Sequence, residues 1–147
     1  MTEKAQKSNA LSLWFQRKMN VRTNRRIRRK PGKVMGMDMF ILHTVGKRTG
    51  QPRQAPLSWF GDGDGSWLIV ASGGGAVHPD WYVNLRAHPD SVAIEFHGRD
   101  AAPVTPQVLE GADRERAWQR ITTAQPRYAK YQRKAKREYP VVLLSAR

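Results

Sequence analysis

Residues 45–53, with the sequence VGKRTGQPR, hold the side chains of the chain best suited to bind an anion. Two glycines bracket Lys47, Arg48 and Thr49. Glycine lets backbone N–H groups approach a ligand closely, and all three side chains donate hydrogen bonds to anionic oxygens. The spacing is not that of a Walker A loop, because Lys47 is followed by Arg48. The stretch predicts a binding site for a phosphate or carboxylate, and the alternative is a solvated hairpin turn.

A second unusual stretch is the run SGGGA at residues 72–76. Three consecutive glycines cost conformational entropy, so they indicate that something lies against bare backbone. A flat ring system is one candidate, and close packing of the next helix is the alternative. The spacing is not the GxGxxG of a dinucleotide site, because position 78 is His.

Predicted strands flank both stretches. The apolar runs at residues 37–42 and 55–60 lie on either side of the cationic stretch and predict a hairpin. The sequence GDGDG at residues 61–65 predicts a further turn, and residues 66–71 predict a buried strand. The cationic stretch is therefore expected at a hairpin tip, and the glycine run at the end of a strand.

The rest of the chain is predicted to alternate between helices and strands. Residues 78–86 predict a short helix on which the polar Asn84 should find a bonding partner. Residues 101–109 predict an edge strand, because Pro103 and Pro106 lack the N–H that an interior strand donates. The other predicted elements are a strand at 91–96, two helices beginning near 111 and 128, and a final strand at 141–144. Hairpin-like connections without βαβ alternation favour an α+β, mainly β fold: an antiparallel barrel or sheet with appended helices.

Composition narrows the class of protein. The chain has 147 residues, no cysteine and a net charge of +14. The absence of cysteine excludes disulfides and thiolate chemistry. No apolar run approaches the roughly 20 residues of a membrane span, and no signal peptide is recognisable, so we expect a cytoplasmic protein. Residues 1–33 hold 11 basic residues against one acid, Glu3, which suggests an appendage for anionic partners.

Within that basic segment, Leu11, Trp14, Phe15 and Met19 fall at helical spacing. They predict a basic amphipathic helix in an N-terminal extension, residues 1–33, ahead of one domain at residues 34–147. The helix either lies on an anionic membrane, peripheral at the inner face of the cell membrane, or docks on its own domain or a partner subunit. The spacing favours neither reading decisively.

Four segments of the chain resemble the deazaflavin-dependent nitroreductase family of actinobacteria. They are TVGKRTGQPR at 44–53, VASGGGA at 70–76, HPDWYVNL at 78–85 and PRYAKY at 126–131. The resemblance covers nearly all of residues 37–145. It implies a split β-barrel that binds reduced coenzyme F420, an 8-hydroxy-5-deazaflavin with a ribityl phosphate and an oligoglutamate tail. The implied activity is hydride transfer to a quinone, a nitroaromatic or another activated unsaturated acceptor.

The resemblance also implies roles for individual residues. The phosphate and glutamates would be held by Lys47, Arg48, Thr49 and Arg53. The coenzyme would be lined by Gln54, Ala55, Pro56, Leu57, Ser58, Val70, Ala71, Ser72, Gly73, Asp80, Trp81, Tyr82, Val83, Asn84 and Tyr128. The candidate catalytic hydroxyls are Ser72, Tyr128 and Tyr131, and the two tyrosines would also line the acceptor pocket. The alternative for the tyrosines is ordinary helix packing. Some members carry an aromatic residue where Ser58 and Gln125 stand and Lys or Asn where Gly73 stands, so the acceptor pocket differs within the family.

Two other functions remain open at this stage. One is an FMN-binding relative of the same barrel, although the cationic stretch suits a longer anion. The other is a basic nucleic-acid-binding protein, whose binding would be non-specific and salt-dependent because no recognition motif is present. No metal is expected, since His43, His78, His88 and His97 lack metal-ligand spacing. The sequence leaves open whether the protein is a monomer or a homodimer.

Overall fold

Seven strands form one antiparallel sheet in the part of the chain that the computed structural model describes, residues 3–73 and 76–147. For residues 3–14 only the backbone is described. The helices are α1 (Glu3–Arg29), α2 (Asp80–Ala87), α3 (Gly111–Ala124) and α4 (Arg127–Lys134). The strands are β1 (Met39–Val45), β2 (Pro52–Ser58), β3 (Phe60–Gly61), β4 (Ser66–Val70), β5 (Ala93–Glu95), β6 (Ala102–Val108) and β7 (Val141–Ala146). Their order across the sheet is β2-β1-β5-β6-β7-β4-β3.

The hairpin predicted around the cationic stretch is formed by β1 and β2. Phe40 lies opposite Leu57 and Leu42 opposite Ala55, so these four side chains share one face of the sheet. The tip is closed by a Gly46 N–H bond to Gln51 O at 2.9 Å. A Cβ on Gly46 would lie 2.6 Å from Thr49 Oγ1, so a larger residue here would displace the hydroxyl that accepts the Gln51 N–H bond.

Successive side chains of β4 point to opposite faces of the sheet, and each face has its own hydrophobic core. Ile69 packs with the α2 residues Trp81 and Leu85 on one face. Leu68 packs with Ile121 of α3 on the opposite face. Each fully buried aliphatic side chain contributes about 1.5–3 kcal/mol, so both helices are held firmly against the sheet.

The prediction that β6 is an edge strand is wrong, because β6 lies between β5 and β7. Leu109 N–H donates to Val141 O. Backbone N–H and C=O groups of alternate residues point to the same neighbouring strand, so those of the odd-numbered residues here point to β7. The nitrogen of Pro106 therefore points to the β5 side. On that other side β5 is only three residues long and pairs with Ala102 and Pro103 alone. Pro106 thus lies beyond the end of β5, where a missing N–H costs no ladder bond.

The last turns of α1 pack on the sheet. Asn24 and Ile27 are 5% and 4% exposed, and the helix ends at Arg29, before Pro31. The apolar residues nearer the start of α1 are not buried, since Phe15 and Met19 are 63% and 48% exposed. The other two residues of the predicted apolar face, Leu11 and Trp14, lie outside the residues whose side chains are described. No described helix is both long enough and apolar enough to span a bilayer.

Candidate functional site

The tip of the β1–β2 hairpin presents a group of cations without partners. Lys47, Arg48 and Arg53 are all exposed, and no side chain in the described residues forms an ion pair or hydrogen bond with them. The Thr49 hydroxyl accepts a bond from Gln51 N–H at 3.2 Å, which leaves its own proton available. These are the donors that an anionic ligand requires.

Asn84 ties this hairpin tip to α2. Its Oδ1 accepts a hydrogen bond from Lys47 N–H at 2.9 Å, and the residue is only 8% exposed. The prediction that Asn84 bonds a partner is therefore confirmed. Because the bond uses the backbone N–H of Lys47, it orients the tip without using the charged side chain.

The end of β4 leads into the predicted ring-binding surface. Ala71 is buried, Ser72 is half-buried and Gly73 is exposed, whereas Gly74 and Gly75 lie outside the described residues. A Cβ on Gly73 would meet only Pro79 Cβ, at 3.9 Å, which is ordinary contact. Packing of α2 therefore does not explain the glycine at position 73, and this backbone is open to a ligand.

The cationic tip and the end of β4 lie along the same short helix. Asn84 of α2 contacts the tip, and Pro79, directly before α2, lies beside Gly73. Five residues of helix span about 7.5 Å along the axis. The two predicted halves of the site therefore both border α2 or the residue directly before it, within a short axial distance of each other.

Other residues assigned to the coenzyme have more varied positions. Ala55 and Leu57 pack against the core that lies under α2, while Pro56 and Ser58 are half-buried. Gln54 faces α1, because its Oε1 accepts a bond from Arg28 Nη2 at 2.7 Å.

On α2 the assigned residues divide into a buried pair and an accessible pair. Trp81 and Tyr82 are 9% and 5% exposed and pack in the core, whereas Asp80 is exposed and Val83 half-buried. Val70 is buried under α3 and α4. Through side chains, only Asp80 and Val83 of these five could readily touch a ligand.

The assigned tyrosines differ from each other in burial. Tyr128 is 8% exposed, and this burial raises the pKa of its hydroxyl, which therefore stays protonated at neutral pH. The hydroxyl lies 4.0 Å from Met37 Sδ, to which Ser58 Oγ donates at 3.2 Å. Tyr131 is 47% exposed, and its ring centroid is 5.8 Å from that of Tyr128.

A cavity of about 250 Å³ adjoins Tyr128 through Met37 and Ser58. Its walls include Trp59, Phe60 and Gln125. Ser58 and Gln125, two of the positions where members of the resembled family differ, both line this cavity. Ser72 forms no hydrogen bond to either tyrosine among the described residues.

One residue that contacts this site was not singled out in the sequence. Arg137 Nη2 donates to Gly73 O at 2.7 Å and to Ala71 O at 3.0 Å. In the sequence Arg137 belongs to a basic run near the C-terminus, and nothing in its local pattern distinguishes it from its neighbours. The sequence does predict a strand end near residue 71 whose backbone carbonyls need donors, but it does not indicate which residue supplies them.

Comparisons with known proteins agree with this geometry. The family model described as F420H(2)-dependent quinone reductase matches residues 13–146. An F420H(2)-dependent quinone reductase of Mycobacterium tuberculosis is 35% identical over 153 residues, covering 93% of this chain and 99% of that protein. A solved F420-H2 dependent reductase is 34% identical with a TM-score of 0.63, covering 78% of this chain and 100% of that one. A structure described as a domain-swapped dimer is 30% identical with a TM-score of 0.64, covering 94% and 98%. The predicted split β-barrel is thereby confirmed.

Proposed function

The chain belongs to the F420H(2)-dependent quinone reductase family, and we propose that it is an oxidoreductase that uses reduced coenzyme F420 to reduce a quinone or a similar unsaturated acceptor. Coenzyme F420 supplies the hydride when bound. The acceptor gains that hydride and a proton, so a quinone becomes a hydroquinone. The chain's own residues must bind the donor, orient the acceptor, exclude water and deliver the proton.

The observation that carries the proposal is the Asn84 bond to Lys47 N–H. Through it, α2 holds the cationic tip at one end and borders the open backbone of Gly73 at the other. The coenzyme combines a polyanionic tail with a flat ring, and these two surfaces match its two parts in chemistry. The residues present therefore fit coenzyme F420.

Lys47, Arg48, Thr49 and Arg53 are proposed to bind the phosphate and glutamates. Within the part of the chain that the structure describes, these cations have no side-chain partner, so a ligand would not have to break an existing ion pair. The open backbone at Ser72 and Gly73 is proposed to border the ring, and the accessible Asp80 and Val83 to lie beside it. The buried Trp81 and Tyr82 support the site from the core, and the half-buried segment from Ala55 to Ser58 borders it along β2.

The acceptor is proposed to occupy the cavity beside Ser58 and Gln125. Tyr128, buried with its hydroxyl protonated, is the proposed donor of a hydrogen bond or proton to the acceptor. Tyr131 and Ser72 are the remaining candidates. A quinone oxygen accepts hydrogen bonds, which suits a cavity bordered by hydroxyl and amide donors.

Coenzyme titration tests the proposed function directly. We expect saturable quenching of tryptophan fluorescence by coenzyme F420, followed by oxidation of the reduced coenzyme when a benzoquinone or naphthoquinone is added. FMN serves as the matched control because it has a similar ring and one phosphate without the glutamate tail. Tight FMN binding without F420 binding would overturn the proposal and favour the FMN-binding alternative.

Replacement of the tyrosine hydroxyls tests the acceptor site. Tyr128→Phe should lower kcat about tenfold or more, since loss of a general acid typically costs at least that factor, while leaving the Kd of the coenzyme unchanged. Tyr131→Phe is the comparison variant, because Tyr131 is the exposed alternative donor. A Tyr128→Phe rate equal to that of the native protein would remove Tyr128 from the proposed chemistry.

Peripheral contact of α1 with an anionic membrane is a further part of the proposal. The exposed Phe15 and Met19 lie among the cations Arg17, Lys18 and Arg22, as in an interfacial helix. Sedimentation with vesicles rich in anionic lipid should pellet the full chain. A version that lacks residues 1–22 keeps the docked turns of α1 and should stay in the supernatant; equal sedimentation would refute membrane contact by this helix.

The relative described as a domain-swapped dimer motivates a proposal about assembly. The exposed part of α1 is joined to β1 by a short segment in which Gly32 and Gly36 have φ values of 92° and 78°. Exchange of α1 between two copies would need a change in this segment alone. Size-exclusion chromatography with light scattering should show a dimer, and a monomer at all concentrations would refute the exchange.

A further inference from the structure

The segment between α4 and β7 is held in place by the side-chain amide of Gln132. Its Nε2 donates to Arg137 O and its Oε1 accepts from Tyr139 N–H, both at 2.8 Å. The Tyr139 hydroxyl also donates to Tyr131 O at 3.2 Å. These three bonds fix the backbone from which the Arg137 side chain extends.

The Arg137 guanidinium joins two separate pieces of chain. Nη2 donates to Ala71 O at 3.0 Å and to Gly73 O at 2.7 Å, at the end of β4. Nη1 donates to His78 Nδ1 at 3.2 Å, just before α2. The neighbouring backbone repeats the link, because Ala71 N–H donates to Pro140 O at 2.9 Å.

We propose that Arg137 is a positioning residue for the coenzyme ring: it sets the backbone of Ser72 and Gly73 and connects it to α2. This inference rests on the proposed function, since it concerns the surface assigned there to the ring. Arg137 acts through the backbone that it holds. The residue thus lies outside the set of side chains that touch the coenzyme.

Arginine is suited to this task by its geometry. A guanidinium presents several N–H donors in a rigid planar fork, and within the described residues Nη1 and Nη2 of Arg137 reach the acceptors on Ala71, Gly73 and His78. Its Cζ also lies 5.0 Å from the centroid of the Tyr139 ring, which restricts the plane of the fork further. A lysine at this position has one compact ammonium on a flexible stem and would not hold all three acceptors in the same arrangement.

The position of Arg137 also connects the ring surface with the cationic tip. From Gly73 the bonded path runs through the guanidinium to His78, along α2 to Asn84, and on to Lys47 N–H. This path adds to the packing of α2 on Ile69, and its part nearest the ring surface is the Arg137 guanidinium. Loss of Arg137 should reduce affinity for the ring while leaving the cationic tip intact.

Titration of Arg137→Gln with two ligands separates these contributions. One ligand is intact coenzyme F420, and the other is its deazaflavin ring with the ribityl chain but without phosphate and glutamates. We expect the Kd for both to rise by the same factor, about ten- to hundredfold, as for loss of hydrogen bonds from a charged group. The acceptor KM should change little.

Two further variants serve as controls. Arg133→Gln removes an exposed cation from α4 and should leave both Kd values unchanged within about twofold, since exposed surface charges contribute little. Arg137→Lys keeps the charge and should restore only part of the affinity. Full rescue by lysine would overturn the positioning role in favour of a simple charge effect.

Hydrogen exchange gives a readout that needs no coenzyme. In the free protein, Arg137→Gln should speed exchange at Ala71 N–H about tenfold, because the end of β4 that holds this N–H loses the bonds to Ala71 O and Gly73 O. The Leu109 N–H bond to Val141 O lies elsewhere in the sheet and is the internal reference. Unchanged exchange at Ala71 would overturn the inference even if activity fell.

The outcomes distinguish this inference from the function on which it rests. If the native protein fails to bind the coenzyme, the proposed function is wrong and the ring assignment is wrong with it. If the native protein binds and Arg137→Gln binds equally well, the inference alone is overturned. Should Arg137→Gln fail to fold, His78→Phe keeps a ring beside Tyr82 and removes only one of the three acceptors. That variant should raise both Kd values about threefold, and no change would overturn the inference.

Discussion

Two basic regions beside β1 differ in how their charges are paired. At the hairpin tip, Lys47 and Arg48 have no partner within the described residues. At the end of α1, Arg28 Nε donates to Glu95 Oε2 at 2.8 Å and Nη2 to Glu95 Oε1 at 3.1 Å. His43 Nε2 also lies 2.8 Å from Glu95 Oε1.

The difference shows how similar residue types serve different purposes in one molecule. The bidentate Arg28–Glu95 pair uses its charge to attach α1 to the sheet, so that charge is no longer available to a ligand. The cations at the tip form no ion pair within the described residues and repel one another. An anionic ligand would offset this repulsion. Stability should therefore depend on the first region, and coenzyme affinity on the second.

The largest expected effect comes from neutralising the tip. The double variant Lys47→Ala with Arg48→Ala should raise the Kd for intact coenzyme F420 about hundredfold or more, because it loses two charge-assisted contacts. Affinity for the ring fragment and the melting temperature should be unchanged, since both side chains are exposed. The double variant Arg99→Gln with Arg133→Gln removes two exposed cations from elsewhere on the surface and is the matched control for net charge. A comparable loss in this control would show that the protein's overall field, not the tip, binds the tail.

A smaller effect on both properties is expected at Asn84, where the tip meets the core. Asn84→Ala leaves Lys47 N–H without its acceptor, which should cost about 1–2 kcal/mol of unfolding free energy and raise the coenzyme Kd about tenfold. Asn84→Asp keeps an acceptor oxygen and should recover most of both losses. Chemical denaturation and coenzyme titration measure the two quantities on the same samples. An effect on stability alone would mean that the orientation of the tip does not matter for binding.

The parts of this comparison that the sequence predicted are the local ones. The hairpin around Lys47, the helix after Pro79 and the bonded state of Asn84 all follow from turn residues and periodicity within about ten positions. The resemblance to a known family added the coenzyme. Neither approach required knowledge of which distant side chains meet.

The parts that were missed depend on contacts between distant residues. Arg28 meets Glu95 across 67 positions, and Arg137 meets Ala71 across 66. Local patterns do not encode such pairs, so one basic residue looks like another in the sequence. The interior position of β6 was missed for a similar reason. Pro106 fits there because β5 is too short to reach it, and this is a property of the assembled sheet.

The paired region should show the opposite behaviour from the tip. Glu95→Gln should lower the unfolding free energy by about 1 kcal/mol, a modest value because Arg28 is partly exposed and solvent screens the pair. The Kd for the coenzyme should not change. Glu115→Gln, an exposed acid on α3, is the matched control and should be neutral. A rise in Kd for Glu95→Gln would show that the two regions are coupled through Gln54.

The same pair predicts how stability depends on pH. The hydrogen bond from Arg28 lowers the pKa of Glu95 below its ordinary value of 4.5. The unfolded state therefore binds the proton more readily than the folded state. The stabilisation is fully present above about pH 4.5 and is lost as the pH falls through the lowered pKa. Below this window the native protein and Glu95→Gln should converge in melting temperature, and a difference that persists there would contradict the assignment.

The smallest effect is expected in the turn that connects the paired region to β1. Val34 and Met37 exchange backbone hydrogen bonds at 2.9 and 3.1 Å, and between them Met35 has a φ of 52° with 83% of its surface exposed. Gly36 follows with a φ of 78°, so the turn has positive φ at both central residues. Turns of this type favour Asn before Gly, and a left-handed conformation costs other residues about 1–2 kcal/mol.

Met35→Asn should relieve part of this cost and stabilise the protein by about 0.5 kcal/mol in chemical denaturation without altering the coenzyme Kd. Met19→Asn is the matched control, because Met19 is an exposed methionine in a helix, where Asn costs about 0.5 kcal/mol. The two variants should thus change stability in opposite directions. If Met35→Asn instead weakens coenzyme binding, the turn would belong to the site, and the division between a region that stabilises and a region that binds would not hold.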